Sequence, residues 1–356
     1  MEKLEDHLAF VDAFAKTRSI MEQFKGKEIR LSYSGGSDSD DVAWLLRYLG
    51  YNVKMVIYDT GLEYDATWRH VDYMRSQGYD IEVIKPPKSI PNTVYHYGEP
   101  FINKHVADML ERLQYNNFNF KEDGLLEFDE AYAKYPHSKS ALRWWTDNNS
   151  NASNNISWNR SLKEFLIENN GIPFEVSAHC CYNTKKLPSK IYARENHVDL
   201  MMLGIRRAEG GKRATAYPSC FIEKSVIYSY SLFLPIFWWK NEDKDLFDQI
   251  TGIKHSDCYS VYGMKRTGCP GCPFGRNFED ELVAISTYEP KLEKAVNHIF
   301  KNSYEWNRKF REYQKEHKIP GFYSKDNVEK RRLKRVSFLE NPAYEKPKKP
   351  KAEKLA

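Results

Sequence analysis

The chain has 356 residues, 41% of them hydrophobic, which is enough for one large domain or two modest ones and excludes wholesale disorder. Its 54 basic and 49 acidic residues leave a net charge of only +5, too little to name a partner. No run approaches eighteen apolar residues and the start MEKLEDHLAF is charged, which predicts a cytoplasmic protein with neither membrane span nor secretory signal.

Residues 6–24 place apolar positions at helical spacing and predict a leading helix, an N-terminal segment 1–25. A strand over Ile29–Tyr33 runs into Ser34-Gly35-Gly36-Ser37-Asp38-Ser39, and a helix-like run from Val42 to Leu49 follows. A second strand, Val53–Tyr58, ends in Asp59-Thr60-Gly61 and precedes a helix over Tyr64–Gln77; a third covers Asp80–Ile84. Strands alternating with helices predict an α/β fold, a parallel twisted sheet flanked by helices, with ligands at the carboxyl ends of its strands. The rhythm breaks over 115–155, read as an insertion, helical around Ser140–Thr146, with a mobile linker in its Asn-rich part, Asn148–Asn155. Strands resume at Val198–Leu203 and Ile227–Leu234, completing a nucleotide-binding domain over 26–278. A helical C-terminal region over 279–336 and a basic, disordered tail over 337–356 are expected to follow.

Three patterns carry chemistry. In the Ser34–Ser39 turn two glycines permit backbone geometry closed to other residues, so successive N–H groups can face one anion at a helix N-terminus. The loop Gly204-Ile205-Arg206-Arg207-Ala208-Glu209-Gly210-Gly211-Lys212-Arg213 places guanidinium groups after a strand, where they suit phosphate or sulfate. Six cysteines are too few for a disulfide scaffold, and four are paired as Cys180-Cys181 and Cys269-Pro270-Gly271-Cys272. Four thiolates can hold one zinc or cap the irons of a cubane cluster; adjacent cysteines diverge, which favours the cluster. Cys220 and Cys258 have no partner spacing and are expected to be packed thiols.

Ser34-Gly35-Gly36-Ser37-Asp38-Ser39 resembles the PP-loop of ATP pyrophosphatases, with Ser37 where Lys is common. Asp59-Thr60-Gly61, Cys180-Cys181-Tyr182-Asn183-Thr184-Lys185-Lys186, the arginine loop, Leu234-Pro235-Ile236-Phe237-Trp238 and Arg266-Thr267-Gly268-Cys269 resemble motifs of the phosphoadenylyl-sulfate and adenylyl-sulfate reductase family, over residues 26–280 less the insertion. The resemblance implies a Rossmann-like PP-loop fold and a [4Fe–4S] cluster on Cys180, Cys181, Cys269 and Cys272, its charge offset by Lys185, Lys186 and Arg266. It implies ATP or another adenine nucleotide on Ser32, Ser34, Gly35, Gly36, Ser37, Asp38, Ser39, Asp59, Thr60, Gly61, Gly204, Arg206, Arg207 and Arg213, with Mg²⁺ near Asp38. Catalytic roles fall to Asp38, Ser39, Arg206 and Arg207.

The family's reductases carry a catalytic cysteine in a C-terminal Glu-Cys-Gly-Leu-His, whereas no cysteine follows Cys272 here. That favours ATP-dependent adenylyl activation coupled to sulfur transfer, of the DNA-phosphorothioation and tRNA-thiolation type. The alternatives are a reductase releasing sulfite with a displaced thiol at Cys220 or Cys258, and a nucleotide- and cluster-sensing regulatory protein. Lys330, Arg331, Arg332, Lys334 and Arg335, with the lysine-rich tail, predict nucleic-acid contact or a solubilising role. A sulfur-donor or thiol-reductant protein is the expected partner, and a homo-oligomer the expected assembly.

Overall fold

The computed structural model describes residues 3–159, 161–210, 216–225, 229–275 and 277–317. They divide into two compact units, residues 3–114 with 173–304, and residues 115–172 with 305–317. Arg213 and the basic C-terminal stretch from Lys330 lie outside the described residues.

The first unit is built on six strands, β1 (Ile29–Ser32), β2 (Lys54–Tyr58), β3 (Ile81–Ile84), β4 (Leu200–Leu203), β5 (Phe221–Ile222) and β6 (Ser231–Phe233), in the order β3-β2-β1-β4-β6-β5. All neighbours pair in parallel except β5, an antiparallel edge strand on β6. Of the strand expected over Ile227–Leu234, Ser231–Phe233 forms β6, and Ile227 and Tyr228 lie outside the described residues.

Alternation along each strand explains the layers, because successive side chains point to opposite faces. Leu31, Met55, Ile57, Leu200 and Met202 pack in one core with the helices α1 (Leu8–Gln23), α2 (Ser37–Tyr48) and α3 (Asp65–Ser76). Val56, Tyr58 and Met201 pack on the other face against Tyr192 and Ala193 of the helix Leu187–Glu195. With both faces covered, the strands read as near-continuous apolar runs. The order also reverses beside β1: the chain goes outward to β2 and β3, then returns across β1 to β4. The crevice at the carboxyl ends of β1 and β4 is therefore a topological switch point, the usual ligand position of such sheets.

The second unit gathers the helices Phe128–Lys134, Lys139–Trp145 and Leu162–Glu168. Trp144 and Trp145 are fully buried there; the Trp145 indole donates to the Gly124 carbonyl at 3.0 Å and meets the edges of Phe118 and Phe120. Asn148–Asn155, expected to be a mobile linker, is instead folded into hydrogen-bonded turns. Asn155 accepts from the Asn149 amide at 3.1 Å and donates to the Asp147 carbonyl at 3.0 Å, while Asn151 accepts from the Ser153 amide. Short amide side chains substitute for backbone partners here, which composition alone cannot distinguish from flexibility. Among the described residues no helix is long and apolar enough to cross a membrane.

Candidate functional site

The turn from β1 into α2 is shaped by two close approaches. Gly35 has φ +68°, and a Cβ there would lie 2.8 Å from the Thr67 methyl. Gly204, just past β4, lies against the first turn of α2, where a Cβ would come within 2.6 Å of the Asp38 carbonyl. Side chains of the turn staple it internally: Ser39 Oγ donates to the Gly36 carbonyl at 2.6 Å, and Ser34 Oγ accepts from the Gly36 amide at 3.3 Å. Ser39 is accordingly buried, its hydroxyl committed to loop shape. Ser32, half-buried at the end of β1, holds the sheet register between Val56 and Leu203.

Behind the loop, α2 is fastened by buried charge. Asp40 accepts from the Tyr33 hydroxyl at 2.6 Å, from His70 at 3.0 Å and from His255 Nδ1 at 2.8 Å. Burial would raise the Asp40 carboxyl, but the hydrogen bonds from His255 and His70 outweigh it and hold it below the usual range. Burial likewise opposes charge on His255, yet Asp248 and Asp40 lift its pKa to about 9, so it is an imidazolium at neutral pH. Asp41, Asp248 and His255 bring ligand atoms within 4.8 Å of one another. The Lys244 ammonium, 2.8 Å from Asp41 and 3.0 Å from Asp248, already supplies positive charge to that cluster.

The arginine loop divides its work. Arg206 is buried, and its guanidinium binds Asp38 at 2.8 Å and Asn241 Oδ1 at 3.0 Å. Asp38, expected to help place Mg²⁺, thus meets a guanidinium on one oxygen; burial raises its carboxyl and Arg206 opposes that rise. Arg207 is exposed and lies over Trp238, 5.4 Å from the ring centre, so the Leu234–Trp238 motif positions this loop. At the end of β2, Asp59 accepts from the Gly61 amide at 3.0 Å, and the Thr60 hydroxyl donates to Glu63 at 2.7 Å.

The four paired cysteines come together. Cys180 and Cys181 open a helical run, His179–Cys181, that passes through a π-helical turn, Tyr182–Lys186, into Leu187–Glu195. Such turns shift the facing of side chains and recur at functional sites. The Cys180 thiol is pushed up by its hydrogen bond to Cys181, by burial and by the neighbouring Cys272 and Cys269 sulfurs. Cys181 is drawn down to about 5 by the Cys180 thiol and, against burial, by Lys104 and Lys185. Burial raises Cys269, and raises Cys272 to about 12. Lys185 is held charged chiefly by Cys269, and Glu63 adds to the effect against burial. Lys186 and Arg266 are exposed, and Arg266 acts on Glu281, whose carboxyl burial pushes up to about 7. The CxxC turn itself is pinned by the Tyr304 hydroxyl, which donates to the Gly271 carbonyl.

Among the described residues, the four sulfurs do not appear in any group of three ligand atoms within 4.8 Å of one another. A tetrahedral zinc at about 2.3 Å from each sulfur would draw them to about 3.8 Å apart. Cys258 is fully buried among Tyr64, Ala66 and Ile285, and Cys220 is half-buried, its carbonyl accepting from the Leu234 amide. Sequence reasoning missed Lys104 and Glu281. It also missed Tyr259, whose hydroxyl accepts from the Ser37 amide at 2.9 Å and lies 3.0 Å from Thr267 Oγ1, two residues before Cys269. Only the tertiary fold brings these residues to the site, so no local pattern marks them.

No family model matches the chain. An uncharacterized protein of Methanocaldococcus jannaschii is 24% identical over 314 residues, covering 86% of this chain and 46% of that protein; the chain thus spans about half the length of the curated relative it matches. Phosphoadenylyl-sulfate reductase from Candida auris, solved as a phosphate complex, superposes over 72% of this chain and 87% of its own, with 12% identity and a TM-score of 0.40. The U34-tRNA thiolase NcsA from Methanococcus maripaludis, solved with its [4Fe–4S] cluster, covers 84% and 79%, with 11% identity and a TM-score of 0.34. Both TM-scores are below 0.5, and what this site can do is read from the chain's own residues.

Proposed function

We propose that this chain is a [4Fe–4S] enzyme that binds an adenine nucleotide on the loop Ser34–Ser39 and uses ATP to activate an oxygen of a nucleic acid for replacement by sulfur. The observation that carries the reading is the convergence of two unlike sites: the Ser37 amide, the Tyr259 hydroxyl and Thr267 connect the glycine loop to the segment bearing Cys269. Four thiols with Lys104 and Lys185 as counter-charges fit a multinuclear iron–sulfur centre. Held there, such a cluster would supply a place where sulfur is bound and handed on.

The chain's own residues do the rest. The N-terminus of α2 would face the phosphates, and the Gly36 and Ser37 amides, held by Ser34 Oγ and the Tyr259 hydroxyl, would turn to them when the nucleotide arrives. Arg206 holds Asp38 in one orientation, and the Asp59–Gly61 turn walls the nucleotide side. The acceptor oxygen attacks the α-phosphorus and pyrophosphate leaves. Sulfur at the sulfide level then forms the new bond at the activated centre and AMP departs with the oxygen. No net electron change occurs, so the balance is acceptor, H₂S and ATP to thio-acceptor, AMP and pyrophosphate.

Anaerobic protein supplied with ATP, Mg²⁺, sulfide and nucleic acid should release AMP and pyrophosphate in equal amounts and place labelled sulfur in the nucleic acid. Thioredoxin-dependent sulfite from a sulfonucleotide, with no ATP turnover, would replace this reading with a reductase. Full burial of Cys258 weighs against its serving as the displaced thiol of such a reductase.

A further inference from the structure

Around Gly36 three hydroxyl groups converge. A Cβ on Gly36 would lie 3.1 Å from Thr267 Oγ1, 3.2 Å from Ser34 Oγ and 3.2 Å from the Tyr259 hydroxyl. Ser34 belongs to the glycine loop, but the other two come from the segment that ends in Cys269. That segment is fastened to the first turn of α2 by His255 on Asp40, at 2.8 Å, and by Tyr259 on the Ser37 amide, at 2.9 Å. It then reaches Cys269 two residues beyond Thr267.

Resting on the nucleotide reading above, we propose that Tyr259 and Thr267 are phosphate-positioning residues of the glycine loop, supplied by the cysteine segment, and that they couple nucleotide binding to the cysteine centre. The physical case is one of donors. Backbone amides of a glycine loop give directional N–H groups, but Ser37 adds no cation of its own to the loop. Hydroxyl rotors make good the deficit: each can accept from an amide, as Tyr259 does from Ser37, or turn its O–H toward a phosphate oxygen. The absence of a side chain on Gly36 keeps the space between them open. Because Thr267 is so near Cys269, a cysteine segment ordered by its metal presents both hydroxyls correctly, and a phosphate that engages them orders that segment in return. Linkage makes the effect reciprocal.

Two measurements on the intact chain test this. Tyr259→Phe removes the hydroxyl but keeps the ring that packs edge-on to His255. It should weaken ATP about tenfold, as loss of one hydrogen bond to a charged group does, while adenosine, lacking phosphate, binds the variant as it binds the parent and iron content is unchanged. In the parent protein ATP should slow iron loss to a chelator about fivefold or more, the lower end of typical coupling, and the Tyr259→Phe, Thr267→Val double variant should lose that protection. Unchanged ATP affinity in Tyr259→Phe, equal losses for ATP and adenosine, or iron loss indifferent to ATP in the parent would each overturn the inference. Failure of the parent protein to bind ATP or adenosine at all would instead overturn the nucleotide reading beneath it.

Discussion

The glycine loop and the cysteine centre of this chain are assembled over different distances. The loop closes on itself through residues within five positions of one another, with Gly35 in the left-handed turn and Ser34, Gly36 and Ser39 hydrogen-bonded together, while Thr67, Gly204 and Tyr259 pack against it from elsewhere. The cysteine centre draws on four separated stretches, with Lys104 after β3, the π-helical turn carrying Lys185, the CxxC turn, and Tyr304 pinning Gly271 from a distant helix. A locally coded site survives change elsewhere, whereas an assembled one depends on every element that delivers a ligand. Substitutions should therefore affect the two halves separately, except at the residues that join them.

The largest effect is expected at the cysteines. Cys180→Ala or Cys269→Ala should reduce bound iron to background by metal assay, while Gly35→Val, which drives a side chain into Thr67, should abolish ATP binding and leave iron in place. Iron lost in the glycine variant would mean that the halves do not fold independently. Next comes Gly204→Val. Its side chain would meet the Asp38 backbone where the end of β4 touches α2, and denaturant unfolding should show destabilisation of about 3 kcal/mol, the upper range for overpacking.

The buried charges behind the loop give a pH signature. The His255 pKa rises from its ordinary 6.5 to about 9 on folding. Its stabilisation is therefore complete below about 6.5 and lost as pH rises through about 9. The melting temperature should fall across that window, and His255→Gln should be less stable at pH 7 by about 3 kcal/mol, as expected when one member of a buried ion pair is removed. A parent melting temperature flat from pH 6.5 to 9.5 would remove His255 from the network. The smallest effect is expected from Lys104→Gln, which should speed iron loss to a chelator a few-fold through weaker charge balance and leave ATP affinity alone; a tenfold fall in ATP affinity would place Lys104 in the nucleotide site instead.

Legibility in the sequence follows the same division. β1, the Ser34–Ser39 turn and α2 stand adjacent in the chain, and their apolar periodicity and paired glycines are enough to mark them. The cysteine pairing is legible as spacing, and Lys185 as a flanking charge. Lys104 and Tyr259 are not, because a lysine opening a helix and a tyrosine in the short helix Asp257–Ser260 acquire meaning only through tertiary contact, and Thr267 is legible only as a member of the motif before Cys269. The expected roles of Arg206 and Asp38 shift for a related reason: the sequence points each toward a ligand, but burial puts them against each other at 2.8 Å. The Asn-rich stretch misleads because composition does not record whether amide side chains bond to water or, as Asn155 does, to the backbone nearby.

The proposal that four cysteines hold an iron–sulfur cluster beside a nucleotide loop stands or falls on metal and sulfide analysis of the anaerobically purified chain. About four irons and four acid-labile sulfides per chain are predicted, with a broad visible absorption that vanishes in Cys272→Ala. One zinc per chain, with no iron or labile sulfide after anaerobic purification and reconstitution, would contradict it.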